Sequence, residues 1–365
     1  MRRWVGCYDL LMKGNFIVNA LRSKVAMIVA MVAFSFPTSH ASASPFHFAA
    51  KGVNLEFYGG SWIPSLSTLT SLGQNESIFL RSIGANSVCL VIPFYTPSAT
   101  ASNVYFGHSA TSHGGSSPTP AQVAAVIKGL AATHLKITLK PLLNQSSLGT
   151  SWRGIIKPTN VSRWFHSYVT AFAPYLRMAQ SLRISGFVLQ AEMVSLSARP
   201  QWRPLAVWAS SLYKGNLIWD SSANVRVQPA PLTTMGVWLD TYPDVFATNP
   251  TIPQIIDGWN QALGAYRLPL PMSNDVIGEV GILAQDGSYP HPWKYEQSST
   301  YNQTVQAKWF QAACAYGVQH RYRGIYFWST AFGSAVPSLV DPNPSSPMLI
   351  QPSGYAAIRA CFAAH

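Results

Sequence analysis

Eight short runs of strand-forming residues, separated by longer stretches, constrain the fold of this chain more than any other feature. Each run is rich in Val, Ile, Leu or aromatic residues and is followed by a polar or glycine-containing loop, a pattern that predicts β-strands. The runs are Gly52–Phe57, Ser87–Ile92, Lys136–Leu142, Gly186–Ala191, Leu217–Asp220, Gly236–Leu239, Val276–Val280 and Gly324–Trp328. Most are continuously apolar rather than alternating, which indicates strands buried on both faces.

Helical patterns occupy several of the stretches between these runs. They predict helices over Pro120–His134, Asn160–Leu182, Thr300–Tyr316 and Ser353–Phe362. Thr119 is placed to cap the first of these, with Pro120 at the first helical position. The stretch Ser221–Thr234 is poorly helical, and we expect an irregular crossover there.

Alternation of strands and helices over this length predicts an α/β fold with a parallel sheet. Eight units favour a closed (β/α)8 barrel, the TIM barrel, over an open doubly wound sheet. Neither a GxGxxG motif nor a P-loop supports the open alternative. We therefore expect a single barrel domain over residues 44–365.

Residues 1–43 have the pattern of an export signal. Lys24 closes a basic stretch, Val25–Phe34 is apolar, and Ala41-Ser42-Ala43 is a small-residue cleavage site. The apolar run is about half of the roughly 20 residues that span a membrane. A secreted protein with no stable membrane span is therefore predicted, with an uncleaved membrane anchor as the alternative.

The charge pattern argues against a nucleic-acid partner. The whole chain has 25 basic and 13 acidic side chains, and the excess reflects scarce carboxylates rather than clustered Lys and Arg. A nucleic-acid surface requires clustered cations. We therefore expect no nucleic-acid partner, and a monomer.

Three cysteines follow the signal segment, so at most one disulfide forms within the predicted domain. Cys89 lies in an apolar strand pattern and is expected to be a buried thiol. Cys314 and Cys361 fall near the ends of the last two predicted helices, where a disulfide is plausible. No Cys and His spacing matches a zinc site, HEXXH is absent, and no metal or organic cofactor is expected.

Two of the five glutamates in the chain, Glu192 and Glu279, stand at the carboxyl ends of predicted strands 4 and 7. Residues at these ends project into the catalytic mouth of a barrel. Glycosidic-bond cleavage needs an acid at the leaving oxygen and a carboxylate on the opposite face of the anomeric carbon. The pair therefore predicts glycoside hydrolysis. Glu56, at the end of strand 1, also faces the mouth and competes for either role.

Several segments resemble glycoside hydrolase family 113, whose described members are β-mannanases with clan A barrels. They are LKPLL, SWRGIIKP, FVLQAEM, LDTYP, IGEVGI followed by HPW, and GIYFWST. The resemblance runs from Gly52 to about Trp328. It implies that Glu192 is the acid/base, that Glu279 is the nucleophile, and that hydrolysis retains configuration. Ala191 stands where many clan A enzymes carry Asn, so binding of the sugar 2-hydroxyl must fall to another residue.

Seven further residues are predicted to contact the substrate or support the pair. Tyr242 could donate a hydrogen bond to the nucleophile, and Trp328 resembles the aromatic floor under the reacting sugar. Lys140 could bind a hydroxyl, tune a carboxylate or pair with Asp240. Aromatic and cationic side chains in predicted mouth loops suit stacking on pyranose rings; these are Trp152, Arg153, Trp202 and Trp293.

We therefore expect a secreted retaining hydrolase of a β-linked polysaccharide or oligosaccharide, with β-1,4-mannan as the first candidate. Two alternatives remain open at this point. One is a carbohydrate-binding barrel without turnover, and the other is a hydrolase of the producer's own exopolysaccharide.

Overall fold

The computed structural model describes residues 46–58, 64–106, 117–144, 148, 152–223, 225, 229–266, 275–294, 299–333 and 337–365. The predicted export signal, residues 1–43, lies outside the described residues. None of the helices in the described ranges is both long and apolar enough to cross a membrane.

Eight parallel strands form a closed barrel in sequence order, and β1 pairs with β8 to complete the ring. The strands are β1 Ala50–Glu56, β2 Ser87–Phe94, β3 Lys136–Leu143, β4 Gly186–Ala191, β5 Asn216–Ser222, β6 Gly236–Asp240, β7 Val276–Val280 and β8 Gly324–Ala331. Each predicted strand coincides with one of them to within a few residues. The prediction of a (β/α)8 barrel is confirmed.

Helices follow seven of the eight strands in the part of the chain that the structure describes. They are α1 Leu66–Ser82, α2 Pro120–Leu130, α3 Val161–Ser181, α4 Val194–Ser197, α5 Trp202–Leu212, α6 Ile252–Tyr266, α7 Gln303–Gln319 and α8 Pro352–Ala364. The four predicted helices correspond to α2, α3, α7 and α8. Between β5 and β6 the described residues contain no helix, as expected for the Ser221–Thr234 crossover.

Helix α2 shows how local sequence sets a helix start. Thr119 accepts a hydrogen bond from the Gln122 backbone, and the Gln122 side chain bonds back to the Thr119 backbone. This reciprocal capping box satisfies two amides that would lack helical partners. Pro120 at the first position lacks the amide hydrogen that would otherwise remain unpaired. The predicted cap is therefore confirmed.

The strands send side chains to two separate cores. Alternate residues such as Val88, Leu90 and Ile92 pack outward against the helices, whereas Cys89 and Val91 belong to a smaller cluster inside the barrel. Gly52 makes room in this interior, because a Cβ there would lie 2.2 Å from the Tyr326 ring. Because side chains fill the barrel interior, a catalytic site is expected at the carboxyl ends of the strands.

The cysteines lie as the sequence suggested. Cys314 on α7 and Cys361 on α8 form a disulfide that closes a sequence separation of 47 residues. Cys89 is a free, buried thiol on β2. The disulfide joins the last two helices and so secures the C-terminal end of the ring.

Candidate active site

Glu192 and Glu279 stand at the carboxyl end of the barrel, where the sequence placed them. Glu192 directly follows β4, and Glu279 is the penultimate residue of β7. They are 6% and 3% exposed, so each carboxylate is almost enclosed by its neighbours. Burial of a charged carboxylate is costly unless hydrogen bonds or an opposite charge compensate it. The residues that contact each carboxylate must therefore provide this compensation.

The backbone at Glu192 adopts a rarely used conformation. Its φ is 54°, in the left-handed region that costs residues with a Cβ about 1 kcal/mol. The turn is held by neighbours on both sides: the Met193 amide donates to Gln190 Oε1 at 3.1 Å, and the Glu192 amide donates to the Asp220 carbonyl at 3.2 Å. Such locally strained residues cluster at functional sites.

Two side chains from the segment after β3 hold the Glu192 carboxylate. Arg153 donates from its guanidinium to Glu192 Oε2 at 2.5 Å, and Trp152 donates its indole N–H to the same oxygen at 3.4 Å. Arg153 is itself fixed, because its Nε donates to the Leu143 carbonyl at 2.9 Å. The predicted residues Trp152 and Arg153 therefore lie at the site, in direct contact with Glu192.

The Glu279 carboxylate is held through both oxygens. Lys140 on β3 donates to Oε1 at 2.5 Å, and the Tyr242 hydroxyl, just beyond β6, donates to Oε2 at 2.8 Å. Hydrogen bonds to a charged acceptor are the strong ones. Together they fix the plane of the carboxylate, and Tyr242 makes the contact that the sequence suggested.

Lys140 has three carboxylate partners rather than one. Its Nζ lies 2.5 Å from Asp220, 3.0 Å from Asp240 and 2.5 Å from Glu279. We call these four residues the lysine cluster. Burial would lower the pKa of the Lys140 ammonium, but the three carboxylates raise it well above its usual value. Lys140 is therefore a fully charged group beneath the site.

The two aspartates of the lysine cluster carry shifted pKa values. Burial raises the pKa of Asp220 to about 6, against the opposing charge of Lys140. Burial and the charges of Asp220 and Glu279 raise the pKa of Asp240 well above its usual value.

The same carboxylates could in principle hold a metal. Among the described residues, Asp220, Asp240 and Glu279 form the group of acidic side chains with oxygens close enough to share an ion. The Lys140 ammonium already lies within 3.0 Å of an oxygen of each. A cation there would have to displace this lysine, so the residues do not fit a resident metal site.

Glu56 has a different environment from the other two glutamates. Ser329 donates a hydrogen bond to its Oε1. Burial raises the pKa of the Glu56 carboxyl, with hydrogen bonds from Ser329 and Tyr58 acting in the opposite direction. Glu56 is therefore held chiefly by hydroxyls, in contrast to the cation-paired Glu192 and Glu279.

One predicted substrate contact, Trp202, is wrong in its placement, whereas Lys140 pairs with Asp240 and contacts a carboxylate, as two of its three predicted alternatives had it. Trp202 was expected in a mouth loop, but it is the first residue of α5, is 1% exposed and packs among Trp164, Phe165 and Trp219. Its indole N–H donates to the Leu196 carbonyl at 2.8 Å. Lys140 is fully buried beneath Glu279, so it has no exposed atom with which to bind a sugar hydroxyl.

The other two predicted aromatic contacts, Trp328 and Trp293, lie in different parts of the barrel. Trp328 lies within β8, which extends beyond the predicted end to Ala331, and its ring is 6% exposed in the interior cluster. Trp293 lies in the loop after β7 and is 48% exposed. Trp328 therefore lies inside the barrel and Trp293 on an outer loop.

Asp220 is the functional residue that sequence reasoning missed. It occupies the end of a predicted strand, as Glu192 and Glu279 do, so the same positional argument could have found it. Its partner Lys140 is 80 residues away in the chain, and this pairing follows only from the inward direction of both side chains.

Comparison with known proteins identifies the family. The sequence profile of Glycoside Hydrolase Family 113 matches residues 71–332, and no curated protein sequence matches the chain. A GH113 β-1,4-mannanase structure is similar with a TM-score of 0.68 and 18% identity, covering 87% of this chain and 100% of that one. The structure of the GH113 β-mannanase AaManA from Alicyclobacillus acidocaldarius, in complex with ManMIm, is similar with a TM-score of 0.67 and 18% sequence identity. The match covers 87% of this chain and 98% of AaManA.

A more distant structural likeness is to a hyperthermophilic endocellulase from the archaeon Pyrococcus horikoshii. It has a TM-score of 0.52 and 13% identity, with 87% of this chain and 93% of that chain covered. At such identities the structural matches establish the fold. The family profile, which spans well over half of the chain, confirms the resemblance seen in the sequence: the protein belongs to glycoside hydrolase family 113 and is a glycoside hydrolase.

Proposed function

We propose that this enzyme hydrolyses a β-linked polysaccharide, first β-1,4-mannan, with retention of configuration. Glu279 is the nucleophile and Glu192 the acid/base. The observation that carries the assignment is the difference between the two environments. Glu279 is held through both oxygens by Lys140 and Tyr242, whereas Glu192 is held through one oxygen, Oε2, by Arg153 and Trp152.

In the first step, a Glu279 oxygen attacks the anomeric carbon and forms an ester bond to the sugar. The glycosidic bond breaks, and Glu192 gives its proton to the leaving oxygen. In the second step, Glu192 takes a proton from water as the water oxygen bonds to the anomeric carbon. The ester bond breaks as this new bond forms and restores the Glu279 carboxylate, so hydrolysis needs no cofactor.

The supporting residues divide into positioning and binding groups. Lys140 and Tyr242 are positioning residues, because they act through Glu279. Trp152 and Arg153 orient Glu192 and border the site, and Trp328 supplies an aromatic surface at the bottom of the mouth. A fixed carboxylate reduces the reorganisation needed to reach the transition state.

The choice of mannan rests on the family and on the similar family members of known structure, which are β-mannanases. Fold alone does not select a sugar. A reducing-sugar assay over β-mannan, glucomannan, xylan and cellulose tests the choice. We expect the highest turnover on β-mannan. Turnover on another glycan with none on β-mannan would contradict the substrate while leaving the chemistry in place.

The catalytic assignment is tested by Glu192→Gln and Glu279→Gln in the same assay. Each should lower kcat by orders of magnitude, because the neutral amide can neither attack nor transfer the proton. Glu76→Gln, a buried glutamate on α1 away from the site, is the matched control and should retain activity. Near-normal turnover by either active-site variant would refute the assignment.

We also propose that residues 1–43 direct export and are removed, leaving residues 44–365 as a secreted monomeric domain. N-terminal sequencing of the enzyme recovered from the medium of an expressing bacterium tests this, with a start at Ser44 expected. A chain that retained Val25–Phe34 in a membrane fraction would instead support an anchor.

A further inference from the structure

Two aromatic rings at the carboxyl face of the barrel are left largely to solvent. Phe246, in the loop after β6, is 79% exposed, and Trp293, in the loop after β7, is 48% exposed. Both loops border the mouth, because each follows the carboxyl end of its strand. Exposed rings gathered on one edge, rather than scattered singly, mark a binding surface.

The rings are held by contacts between the two loops. The Val245 amide donates to the Tyr289 carbonyl at 2.9 Å, and the Trp293 indole N–H donates to Asp244 Oδ1 at 2.9 Å. The His291 ring lies between the two aromatics, with centroids 6.3 Å from Phe246 and 5.6 Å from Trp293. We call Asp244, Phe246, His291 and Trp293 the outer platform.

The outer platform carries polar groups beside its rings. Asp244 lies 3.9 Å from His291 Nδ1, and both side chains are about 40% exposed. Lys294 Nζ lies 5.7 Å from the centre of the Trp293 ring. A sugar presents an apolar face of C–H groups and an edge of hydroxyls, so ring faces with flanking donors and acceptors suit it.

The outer platform lies close to the catalytic site along the chain. Tyr242, which donates to Glu279, precedes Phe246 by four residues. An extended segment of that length reaches at most about 14 Å. This distance corresponds to a short oligosaccharide, so a chain that is cleaved at Glu279 can also lie across the outer platform.

We propose that the outer platform is a distal subsite that binds uncharged sugar units of a polysaccharide several positions from the bond being cleaved. The proposal rests on the proposed function and deepens it, because a distal subsite favours internal cleavage of polymers over trimming of short oligosaccharides. The ring faces supply stacking area, and Asp244 and His291 bind hydroxyls at the ring edges.

The kinetic test compares Phe246→Ala, Trp293→Ala and the double variant on polymeric β-mannan and on a mannobioside with an aryl leaving group. On the polymer we expect kcat/KM to fall about tenfold for each single variant, mainly through KM. The loss on the short substrate should be at least fivefold smaller. Trp293→Phe, which keeps a ring but loses the bond to Asp244, should fall between parent and Trp293→Ala.

Ile78→Ala is the control, because Ile78 is an apolar side chain that is 56% exposed on α1. It should leave kcat/KM unchanged on both substrates. Equal losses on polymer and aryl mannobioside would overturn the proposal, as would an unchanged polymer KM.

A binding measurement separates this proposal from the catalytic one. Affinity electrophoresis of the Glu279→Gln variant through gels containing β-mannan, xylan or mixed β-glucan needs no turnover. We expect retardation by one of these glycans and its loss in Glu279→Gln/Phe246→Ala. Retardation that survives this change, or none in any gel, would overturn the subsite even if the parent hydrolyses mannan. Retardation by xylan or β-glucan alone would keep the subsite and overturn the mannan assignment.

Discussion

The ammonium Nζ of Lys140 lies 2.5 Å from Oε1 of Glu279, and the two side chains are 0% and 3% exposed. A buried lysine is stable only when opposite charges compensate its desolvation. Asp220 and Asp240 provide that compensation from β5 and β6. The lysine cluster thus allows one fixed positive charge to sit directly beneath the nucleophile.

Removing this charge should damage both stability and turnover. We expect Lys140→Met to lower the free energy of unfolding by about 3–5 kcal/mol, because it leaves buried carboxylates uncompensated. It should also lower kcat by about 10²-fold or more, since Glu279 loses a strong donor. Urea unfolding and initial rates measure the two effects.

A second variant separates the two effects of Lys140. Lys140→Met/Asp220→Asn removes one carboxylate together with the ammonium, so stability should recover in part. Turnover should stay low, because Glu279 still lacks its donor. Recovery of turnover along with stability would show that Lys140 acts only in folding.

Tyr242 should contribute less to turnover than Lys140, through its hydrogen bond to the other oxygen of Glu279. Tyr242→Phe removes one hydrogen bond to a charged acceptor at 2.8 Å, a loss worth about 1.5–3 kcal/mol. We expect kcat/KM to fall about 10- to 100-fold, and the free energy of unfolding to fall by no more than this amount. If the variant kept the parental kcat/KM, Tyr242 would have no role in positioning Glu279 for catalysis.

The strands were the most predictable part of this fold. Strands buried on both faces favour continuous apolar runs. The sequence contains eight strand-forming runs, most of them continuously apolar, that match β1–β8. The strand-end position of Glu192 and Glu279 followed from the same pattern. These features depend on local composition and on barrel geometry common to all members of the fold.

Trp202 and Lys140 show why the rest was not predictable. A tryptophan shortly after a strand can lie on a mouth loop or begin a helix, and here α5 begins at Trp202 and turns it into the core. The sequence suggested a pairing of Lys140 with Asp240, but Lys140 also contacts Glu279, 139 residues away in the chain. Such contacts depend on strand register and on which face each side chain occupies, neither of which the composition specifies.

Glu76 should make stability depend on pH. Burial raises its pKa from 4.5 to about 8, and Oε2 has no hydrogen-bond partner among the described residues. Between these pH values the folded chain keeps a proton that the unfolded chain has lost. Stability contributed at this position is therefore present below about pH 4.5 and is lost as pH rises towards 8, by up to about 1.4 kcal/mol per pH unit.

Glu76→Gln removes that titration. We expect its urea midpoint to exceed that of the parent at pH 8 and to approach the parental value at pH 4.5. The difference in urea midpoint between the parent and Glu76→Gln reports on Glu76 alone, because all other carboxylates are the same in both proteins. A difference that did not change with pH would contradict the assignment.

The disulfide between Cys314 and Cys361 should stabilise the domain. It closes a loop across 47 residues, and native disulfides of this kind contribute about 2–4 kcal/mol, chiefly by restricting the unfolded chain. Cys314→Ala/Cys361→Ala should lower the unfolding midpoint accordingly. A reducing agent should lower the midpoint of the parent but not that of the double variant; an equal response would assign the effect to another group.

Mass spectrometry of a trapped glycosyl-enzyme tests the central claim most directly. A 2-deoxy-2-fluoro mannosyl fluoride slows the second step of a double displacement more than the first, so the covalent ester accumulates. We predict that the inactivated chain gains one fluorosugar and that peptide mapping places it on Glu279. A label on Glu56 or Glu192, or hydrolysis of mannan with inverted configuration and no labelled chain, would contradict the account.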